Sequence, residues 1–326
     1  MLTMARTLPT SEDFQLQQIV EGAYAAIATE RGAAFSNEGI IDLGDLTLIF
    51  DTLMTPKAAK DLRAAAEQLT GRPTDFVVNS HRHADHWSGS RVFADHATII
   101  STDQTREQMT MHVAPALTQR EESAVAVTEQ MEANKERLAT EKDERWRAWL
   151  PIRIAYCQHI LESLPTLGLC FPSLTFDTKL VFHGSARTAE LLARSGHMSS
   201  DAILVLPTEC IAFMGDLAFF QSHLSMATSD PVAWTAVLEE LEGPDIETFV
   251  PGHGPVGSRM DVAVLKQYIA ALRELTTRLV KAGGSAEETA RQPVPAPFDA
   301  WSRGMDRYPA NLRYLDQRLL GGVPVT

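Results

Sequence analysis

The chain of 326 residues carries 42 acidic and 29 basic side chains, for a formal net charge of −13, and its hydrophobic content of 44% is enough for a sizeable core. This acidic balance argues against a nucleic-acid partner, because phosphate binding normally needs a basic stripe. No apolar run approaches the ~18–20 residues that span a bilayer, and the first seven residues lack the apolar stretch of a signal peptide, so we expect a soluble, cytoplasmic protein without a membrane partner.

The first third of the chain predicts strands with one helix. Residues 14–29 are rich in strand-forming residues, and residues 39–51 predict a hairpin around a central Gly-Asp pair. A threonine N-cap followed by proline, together with a terminating Gly71, predicts a helix over about 56–70. Residues 75–79 predict a short buried strand that leads directly into a histidine-rich segment.

The pattern changes to helix at about 103–164. Between Arg120 and Arg147, 14 of the 28 residues are charged, with both signs interspersed. This composition favours a solvated helical surface. A lid over an active site, or a homo-oligomer contact through Trp146 and Trp149, are the alternatives.

The second half of the chain alternates strands and helices. Two of the helices carry start signals, which are Asp230 before a proline and Ser258 with Asp261 three residues later. Beyond residue 283 the tail is proline-rich and then predicts a helix around 310–320. The predicted strands cover residues 174–176, 179–182, 189–193, 202–206, 210–214 and 248–250.

The segment from His81 to His86 contains four potential metal ligands within six residues. His81, His83, Asp85 and His86 directly follow the end of a predicted strand, where a departing backbone can curl several side chains around one point. Neutral imidazoles and carboxylates are ligands that zinc and similar divalent metals prefer. The alternative is a polar loop whose histidines are coincidental.

Three further candidate ligands lie far along the chain, each flanked by glycine. His197, Asp216 and His253 each follow or end an apolar stretch. Their glycine neighbours have no Cβ, so the backbone there can turn sharply and approach closely. Each of these residues alone is equally well explained as part of a hydrogen-bonded surface turn. As a set they favour a metal site.

Taken in order, these motifs resemble the metallo-β-lactamase superfamily of hydrolases over about residues 14–256, and within it the Asp-bridged binuclear branch of glyoxalase II and lactonases. The resemblance implies an α+β fold, namely a four-layer αββα sandwich with metals at one edge. The expected organisation is a domain over 14–282, with a helical insertion at about 103–164, followed by a C-terminal helical extension over 283–326.

The resemblance also implies two divalent metal ions, with zinc the first expectation and iron or manganese as alternatives. The implied activity is hydrolysis of a small ester-like bond (thioester, lactone or ester) by a metal-bridging hydroxide, with a small molecule as the substrate partner. Asp85 is the catalytic candidate, which would orient the hydroxide and shuttle a proton. The implied ligands are His81, His83 and His197 for one ion, Asp85, His86 and His253 for the other, and Asp216 as the bridge.

Carboxylates next to the ligands are expected to fix the histidine tautomers. Asp51 and Asp201 are the candidates, with a turn or N-cap role as the alternative for each. His223 could reach a substrate, but an exposed loop histidine is the favoured interpretation. In the tail, the candidates to shape the pocket are Trp301, Tyr308, Arg313 and Tyr314, with packing and rim positions as the alternative. Surface or structural roles are expected for the remaining histidines, which are His96, His112, His159 and His183.

Several other activities are open or disfavoured. The aspartate bridge argues against a true β-lactamase, the His81 cluster differs from that of the flavin-linked diiron branch, and the charge argues against a nuclease. A mononuclear iron persulfide dioxygenase shares the cluster and is the first alternative. A non-catalytic metal-binding protein that serves a partner is the second alternative. Seven ligands without cysteine favour an open, reactive site over a closed structural one.

Overall fold

The computed structural model describes residues 7–113, 120–243 and 245–322. The first six residues, which belong to the segment considered for targeting, lie outside the described residues. So do six residues within the predicted helical region and the last four of the predicted extension. In the part that is described, no helix is long and apolar enough to cross a membrane.

Two β-sheets form the centre of the molecule. In the first sheet the seven strands lie in chain order, antiparallel at the start and parallel from the fourth strand onward. In the second sheet the six strands lie in reverse chain order, and only the pairing of β11 with β12 is parallel. The first sheet contains β1 Phe14–Val20, β2 Ala23–Ala28, β3 Glu38–Asp42, β4 Thr47–Phe50, β5 Phe76–Val78, β6 Thr98–Thr102 and β7 Leu174–Phe176. The second contains β8 Lys179–His183, β9 Thr188–Arg194, β10 Asp201–Leu206, β11 Ile211–Phe213, β12 Thr248–Val250 and β13 Gly257–Ser258.

Helices cover the outer faces of both sheets and form two further segments. Short 3₁₀ turns lie at Ser90–Val92, Gly215–Leu217 and Phe298–Ala300, and a π turn lies at Met109–Val113. The α-helices are α1 Pro56–Thr70, α2 Ala84–Trp87, α3 Asp103–Gln108, α4 Arg120–Thr140, α5 Glu144–Ser163, α6 Pro231–Leu241, α7 Arg259–Lys281, α8 Ala286–Ala290 and α9 Gly304–Leu320.

Three hydrophobic clusters define the layers. The central cluster joins the inner faces of the two sheets, where the rings of Phe50 and Phe213 lie 6.2 Å apart. A second cluster packs α1 against the first sheet, and a third packs α6, α7 and α9 against the second sheet. The order is therefore helix, sheet, sheet, helix. This confirms the predicted α+β sandwich.

The predicted elements with local start and stop signals match the structure closely. Helix α1 begins where Thr55 Oγ1 accepts the backbone N–H of Ala58 at 3.2 Å, and it ends at Gly71 with a φ of 74°. Helix α7 begins with the predicted capping box of Ser258 and Asp261. The tail helix differs, because α9 starts at residue 304, six residues before the predicted start.

Candidate metal centre

The first sheet delivers four polar side chains to one edge of the sandwich. His81 and His83 follow the end of β5, and the single-turn helix α2 then carries Asp85 and His86. Because this segment leaves the strand and curls into a short helix, its four side chains are not sent to alternate faces as they would be in a continuing strand. They are turned toward one point instead.

The second sheet delivers three more side chains to the same edge. His197 lies in the turn from β9 to β10, Asp216 in the 3₁₀ turn after β11, and His253 just after β12. Gly252 is required by this arrangement, because a Cβ at that position would collide with the Asp216 carboxylate. The glycine next to His253 thus permits the close approach that its sequence context suggested.

His81, His83, His197 and Asp216 form the first group of candidate ligands. Their nearest ligand atoms all lie within 4.8 Å of one another. The Oδ2 atom of Asp216 lies 3.3 Å from His197 Nε2 and 3.7 Å from His81 Nε2. His83 Nδ1 lies 3.0 Å from His197 Nε2.

The second group is formed by Asp85, His86 and His253. It meets the other oxygen of Asp216, whose Oδ1 lies 3.1 Å from His86 Nε2 and 3.2 Å from His253 Nε2. Asp85 Oδ2 lies 3.5 Å from His253 Nε2. The structure thus brings together all seven residues singled out in the sequence, and Asp216 contacts both groups.

Hydrogen bonds to the outer ring nitrogens orient three of these histidines. Asp51 Oδ2 accepts from His86 Nδ1 at 2.7 Å and from the Ser80 hydroxyl at 2.7 Å. The Ser80 oxygen in turn lies 3.0 Å from His81 Nδ1, and His197 Nδ1 donates to a backbone carbonyl at 3.1 Å. The Nε2 atom of each of these three rings faces the centre. A proton on Nδ1 leaves Nε2 free to bind, which is the tautomer that a metal ligand needs.

The two carboxylates expected to support the ligands have different roles. The contact expected between Asp51 and a candidate ligand is confirmed by its bond to His86. Asp201 Oδ2 accepts the backbone N–H of Met198 at 2.9 Å, so it stabilises the turn that carries His197. For Asp201 the alternative turn role is therefore the one observed.

Burial and mutual contacts shift the pKa values of these groups. Burial lowers the pKa of His197 to about 3 and lowers that of His81 well below its usual value. Burial also acts to raise the pKa of Asp216, but the imidazoles of His253, His86 and His197 outweigh it and hold this pKa well below the usual range. Neutral imidazoles around an ionised carboxylate are the forms that bind a metal cation.

His86 behaves differently from the other imidazoles. Burial acts to lower its pKa, but the carboxylates of Asp216, Asp51 and Asp85 outweigh burial and raise this pKa well above its usual value. A proton on His86 and a bound divalent cation would each place a positive charge next to these carboxylates, so the cation can replace the proton. We therefore expect metal binding at this position to release a proton.

The donor set also fits metal binding by its unsatisfied atoms. His81 Nε2, His86 Nε2 and Asp216 Oδ1 are buried and, among the described residues, make no well-aligned hydrogen bond, although His86 Nε2 and Asp216 Oδ1 lie only 3.1 Å apart. Buried polar atoms without a partner are costly unless an ion or water engages them. The seven residues are thus a candidate metal-binding site whose nitrogen and oxygen donors suit divalent cations.

A cavity of about 660 Å³ opens beside this site, and we call it the metal-site cavity. His83, Asp85, Asp216 and His253 are part of its lining. Asp85 retains 24% side-chain exposure, against 5% for Asp216 and His253. Residues of α5 and α9 also line it, which are Trp149, Ile152, Arg153, Tyr156, Asp306 and Arg307, together with Arg303 just before α9.

The sequence alone did not identify the part of the lining that α5 and α9 provide. The favoured interpretation of the charged stretch from Arg120 to Arg147 as a solvated surface fits α4, most of whose described side chains are exposed, but it does not extend to the face of α5 that lines the cavity. Trp149, Ile152, Arg153 and Tyr156 follow i, i+3, i+4, i+7 spacing, and this helical stripe was the available signal.

Two groups of side chains near the site are buried or paired within the protein. The interpretation of His223 as an exposed loop histidine is wrong, because His223 is 1% exposed and Nδ1 and Nε2 are bonded to the Tyr268 hydroxyl and the Phe298 carbonyl. Burial lowers its pKa to about 4. In the tail, Tyr308 is buried in the core and Arg313 pairs with Glu287 at 2.8 Å, so both follow the packing alternative.

Comparison with known proteins places the chain as follows. Residues 31–102 match the family model described as "Metallo-beta-lactamase superfamily". A metallo-β-lactamase from Pontibacter korlensis superimposes with a TM-score of 0.55 at 16% identity, covering 78% of this chain and 97% of that one. The mono-zinc metallo-β-lactamase FIM-1 from Pseudomonas aeruginosa gives a TM-score of 0.52 at 15% identity, covering 79% and 96%.

A further structural match reaches more of this chain. The stereoselective inverting sec-alkylsulfatase Pisa1 from Pseudomonas sp. superimposes with a TM-score of 0.62 at 18% identity. The match covers 94% of this chain and 50% of the alkylsulfatase, so the chain spans about half the length of that protein. At these identities the structural matches show a shared fold.

Proposed function

We propose that this chain is a member of the metallo-β-lactamase superfamily and acts as a binuclear metallohydrolase that cleaves a small ester-like bond. The substrate class is that of the glyoxalase II and lactonase branch, namely a thioester, a lactone or a carboxylic ester. Zinc is the first candidate metal, with iron or manganese as alternatives.

The arrangement of Asp216 carries this proposal. Its Oδ2 atom faces His197 and His81, whereas its Oδ1 atom faces His86 and His253. One carboxylate between two groups of imidazoles supports two adjacent cation positions with a shared ligand. A single structural ion would need only four of these seven donors.

The residues around the centre have separable roles in such a reaction. Two bound divalent ions would lower the pKa of a shared water and polarise the bond to be cleaved. Asp85 faces the cavity, and although burial acts to raise its pKa, the imidazoles of His86 and His253 hold that pKa below the usual range. Its ionised carboxylate can accept a proton from the attacking water and pass it to the leaving group.

Hydrolysis of an alkyl sulfate ester is a second candidate. The superposition with the sec-alkylsulfatase includes 94% of this chain and favours it. The metal site is compatible with either ester, because both reactions need an activated water and stabilisation of a developing oxyanion.

Metal loading followed by a substrate panel tests the proposal. The metal-free protein is loaded separately with zinc, manganese and iron(II), and bound metal is counted for each. The panel contains an acyl thioester, a γ-lactone, a 4-nitrophenyl carboxylic ester and a primary alkyl sulfate. We expect about two ions per chain and hydrolysis of at least one substrate. His197→Ala should lose both metal content and hydrolysis, whereas the surface control His96→Ala should retain both.

The same preparations test the two alternatives. One iron per chain with oxygen uptake in the presence of glutathione persulfide would establish the dioxygenase and overturn the hydrolase. A metal-loaded protein that is inert toward the whole panel, yet binds a cellular protein tightly, would instead establish a non-catalytic role.

A further inference from the structure

Three arginine side chains converge on the metal-site cavity from outside the metal centre. Arg153 lies on α5, Arg303 lies just before α9, and Arg307 lies in the first turn of α9. All three line the same cavity as Asp85 and Asp216. Residues about 150 positions apart in the sequence thus place guanidinium groups in the cavity that contains the site of the proposed chemistry.

Neutral groups hold these arginines in place. Arg303 donates to the backbone carbonyl of Phe35 at 3.0 Å, and Arg307 donates to the Ser225 hydroxyl at 3.1 Å. The guanidinium carbon of Arg153 lies 4.8 Å from the centre of the Tyr156 ring. These contacts orient the side chains and leave their charges without a carboxylate in contact.

Several arginines elsewhere on the molecule do form ion pairs. Arg72 and Asp42 approach to 2.6 Å, and Arg313 and Glu287 approach to 2.8 Å. Within the described parts of the chain, by contrast, none of the three cavity arginines forms an ion pair with a carboxylate within 4.0 Å. In a protein with 42 acidic and 29 basic residues, such partners are not scarce.

The charges nearest to the arginines leave a positive surplus on this side of the cavity. Glu30 and Asp306 are the carboxylates on the cavity lining outside the metal centre, and three guanidinium groups outnumber them. Asp85 and Asp216 also act on Arg303, whose pKa burial lowers and those carboxylates partly restore. Metal ions bound at Asp85 and Asp216 would neutralise that influence.

Apolar surface lies next to these charges. Phe35, Met54, Trp149 and Ile152 line the cavity together with the arginines. A ligand that fits this lining therefore has an apolar portion and one negatively charged group. Arginine matches such a group well, because its planar fork donates parallel hydrogen bonds to carboxylate or sulfate oxygens.

We infer that Arg153, Arg303 and Arg307 form an anion-binding subsite and that the substrate is an anionic ester with an apolar chain. This inference deepens the proposed hydrolase function and rests on it, because a bound anion is a substrate only if the protein hydrolyses it. The shared chemistry is a carboxylate or sulfate oxyanion. It could be a carboxylate remote from the scissile bond or the sulfate ester itself.

Kinetics with matched esters test the subsite. 4-Nitrophenyl hemisuccinate and 4-nitrophenyl butyrate share a leaving group and differ in a terminal carboxylate, and hexyl sulfate carries its charge at the scissile bond. Arg153→Gln, Arg303→Gln and Arg307→Gln are compared with Arg313→Gln, which removes a charge from α9 outside the cavity. We expect each cavity variant to raise KM for an anionic ester about 10–100-fold, with little change for the butyrate or in Arg313→Gln.

Calorimetric binding of hexanesulfonate, which cannot be hydrolysed, gives a readout that is independent of turnover. We expect the zinc-loaded protein to bind it, and the cavity variants to weaken binding by a similar factor relative to Arg313→Gln. Preference for the hemisuccinate would assign a remote carboxylate, and preference for hexyl sulfate would assign the scissile group. Both outcomes support the subsite.

Failure of the subsite and failure of the hydrolase function are distinguishable. Equal use of butyrate and anionic esters, with sulfonate binding unchanged across all four variants, would overturn the subsite and leave the hydrolase standing. Sulfonate binding that is lost in the cavity variants, without hydrolysis of any ester, would overturn the hydrolase and leave an anion-binding site.

Discussion

The Oδ2 atom of Asp51 lies 2.7 Å from Nδ1 of His86, and the same oxygen accepts the Ser80 hydroxyl that contacts His81. One buried carboxylate thus orients two candidate metal ligands, one directly and one through a hydroxyl. We predict that Asp51→Asn weakens metal affinity about 10–100-fold. Asn also tolerates the positive φ of 64° at this position, so the backbone should be retained.

Competition with a chelator measures this change. Asp299→Asn, at an exposed position, is the matched control and should retain wild-type affinity. Wild-type affinity in Asp51→Asn would show that Asp51 does not support the ligands.

Asp85 is expected to act in turnover more than in metal retention. Asp85→Asn keeps the shape and an oxygen donor but cannot accept a proton, so we predict that kcat falls about 10²–10⁴-fold while most of the metal is retained. Metal content and kcat are measured on the same preparation. Full metal together with full turnover would remove the proposed proton-shuttling role.

The close packing of Gly252 against Asp216 leads to a third prediction. In Gly252→Ala the new methyl group would meet the carboxylate and the backbone of the preceding turn, displacing Asp216. We predict a loss of about 1–3 kcal/mol in unfolding free energy together with reduced metal content. Gly243→Ala, whose nearest neighbouring atom would lie 3.4 Å away, is the control. Equal behaviour of the two variants would contradict the prediction.

The two tryptophans of α5 differ in their relation to the metal-site cavity. Trp149 lines the metal-site cavity, whereas Trp146 stacks under Arg137, whose guanidinium carbon lies 3.4 Å from the ring centre. We predict that Trp149→Ala raises KM about 10-fold, because it removes an apolar contact, and that Trp146→Ala leaves KM unchanged. A reversed order would place the substrate elsewhere.

Buried His223 should make the metal-free protein sensitive to acid. Burial lowers its pKa to about 4 in the folded state, while the unfolded chain has the ordinary value near 6.5. Between these values the unfolded state binds more protons, so the unfolding free energy falls as the pH falls from 6.5 toward 4. We predict that His223→Gln reduces this fall by about 2 kcal/mol between pH 7 and pH 5.

Denaturant titration of the metal-free protein at the two pH values provides the measurement. His183→Gln, at an exposed position, is the matched control for the loss of one histidine. An identical pH dependence in wild type and His223→Gln would show that this histidine does not carry the effect.

Local signals explain why much of the fold could be predicted. Helix α1 matches the predicted range because Thr55, Pro56 and Gly71 act within a few residues of the ends that they determine. The seven candidate ligands could be singled out for a similar reason, since each lies beside a glycine or within one dense cluster. The division into a domain over 14–282 and a helical extension over 283–326 stays a prediction, as do the cytoplasmic location and a homo-oligomer contact through the helical region.

The remaining features depend on contacts between distant parts of the chain. His223 is buried because Tyr268 and Phe298 pack over it. The residues next to His223 in the sequence give no indication of these contacts. The cavity arginines share the same limitation. A charged residue on a mixed-charge helix has the same local pattern whether it faces solvent or a cavity, and only the packing of α5 and α9 against the sandwich decides which.

Both halves of the sandwich contribute donors, with His81 and its neighbours coming from one and His197 and its partners from the other. An ion bound there would cross-link the two halves of the sandwich. Ligand present at 100 times its dissociation constant adds about 2.7 kcal/mol to the folded state. Removal of the metal should therefore lower the melting temperature of the whole domain, even in assays that contain no substrate.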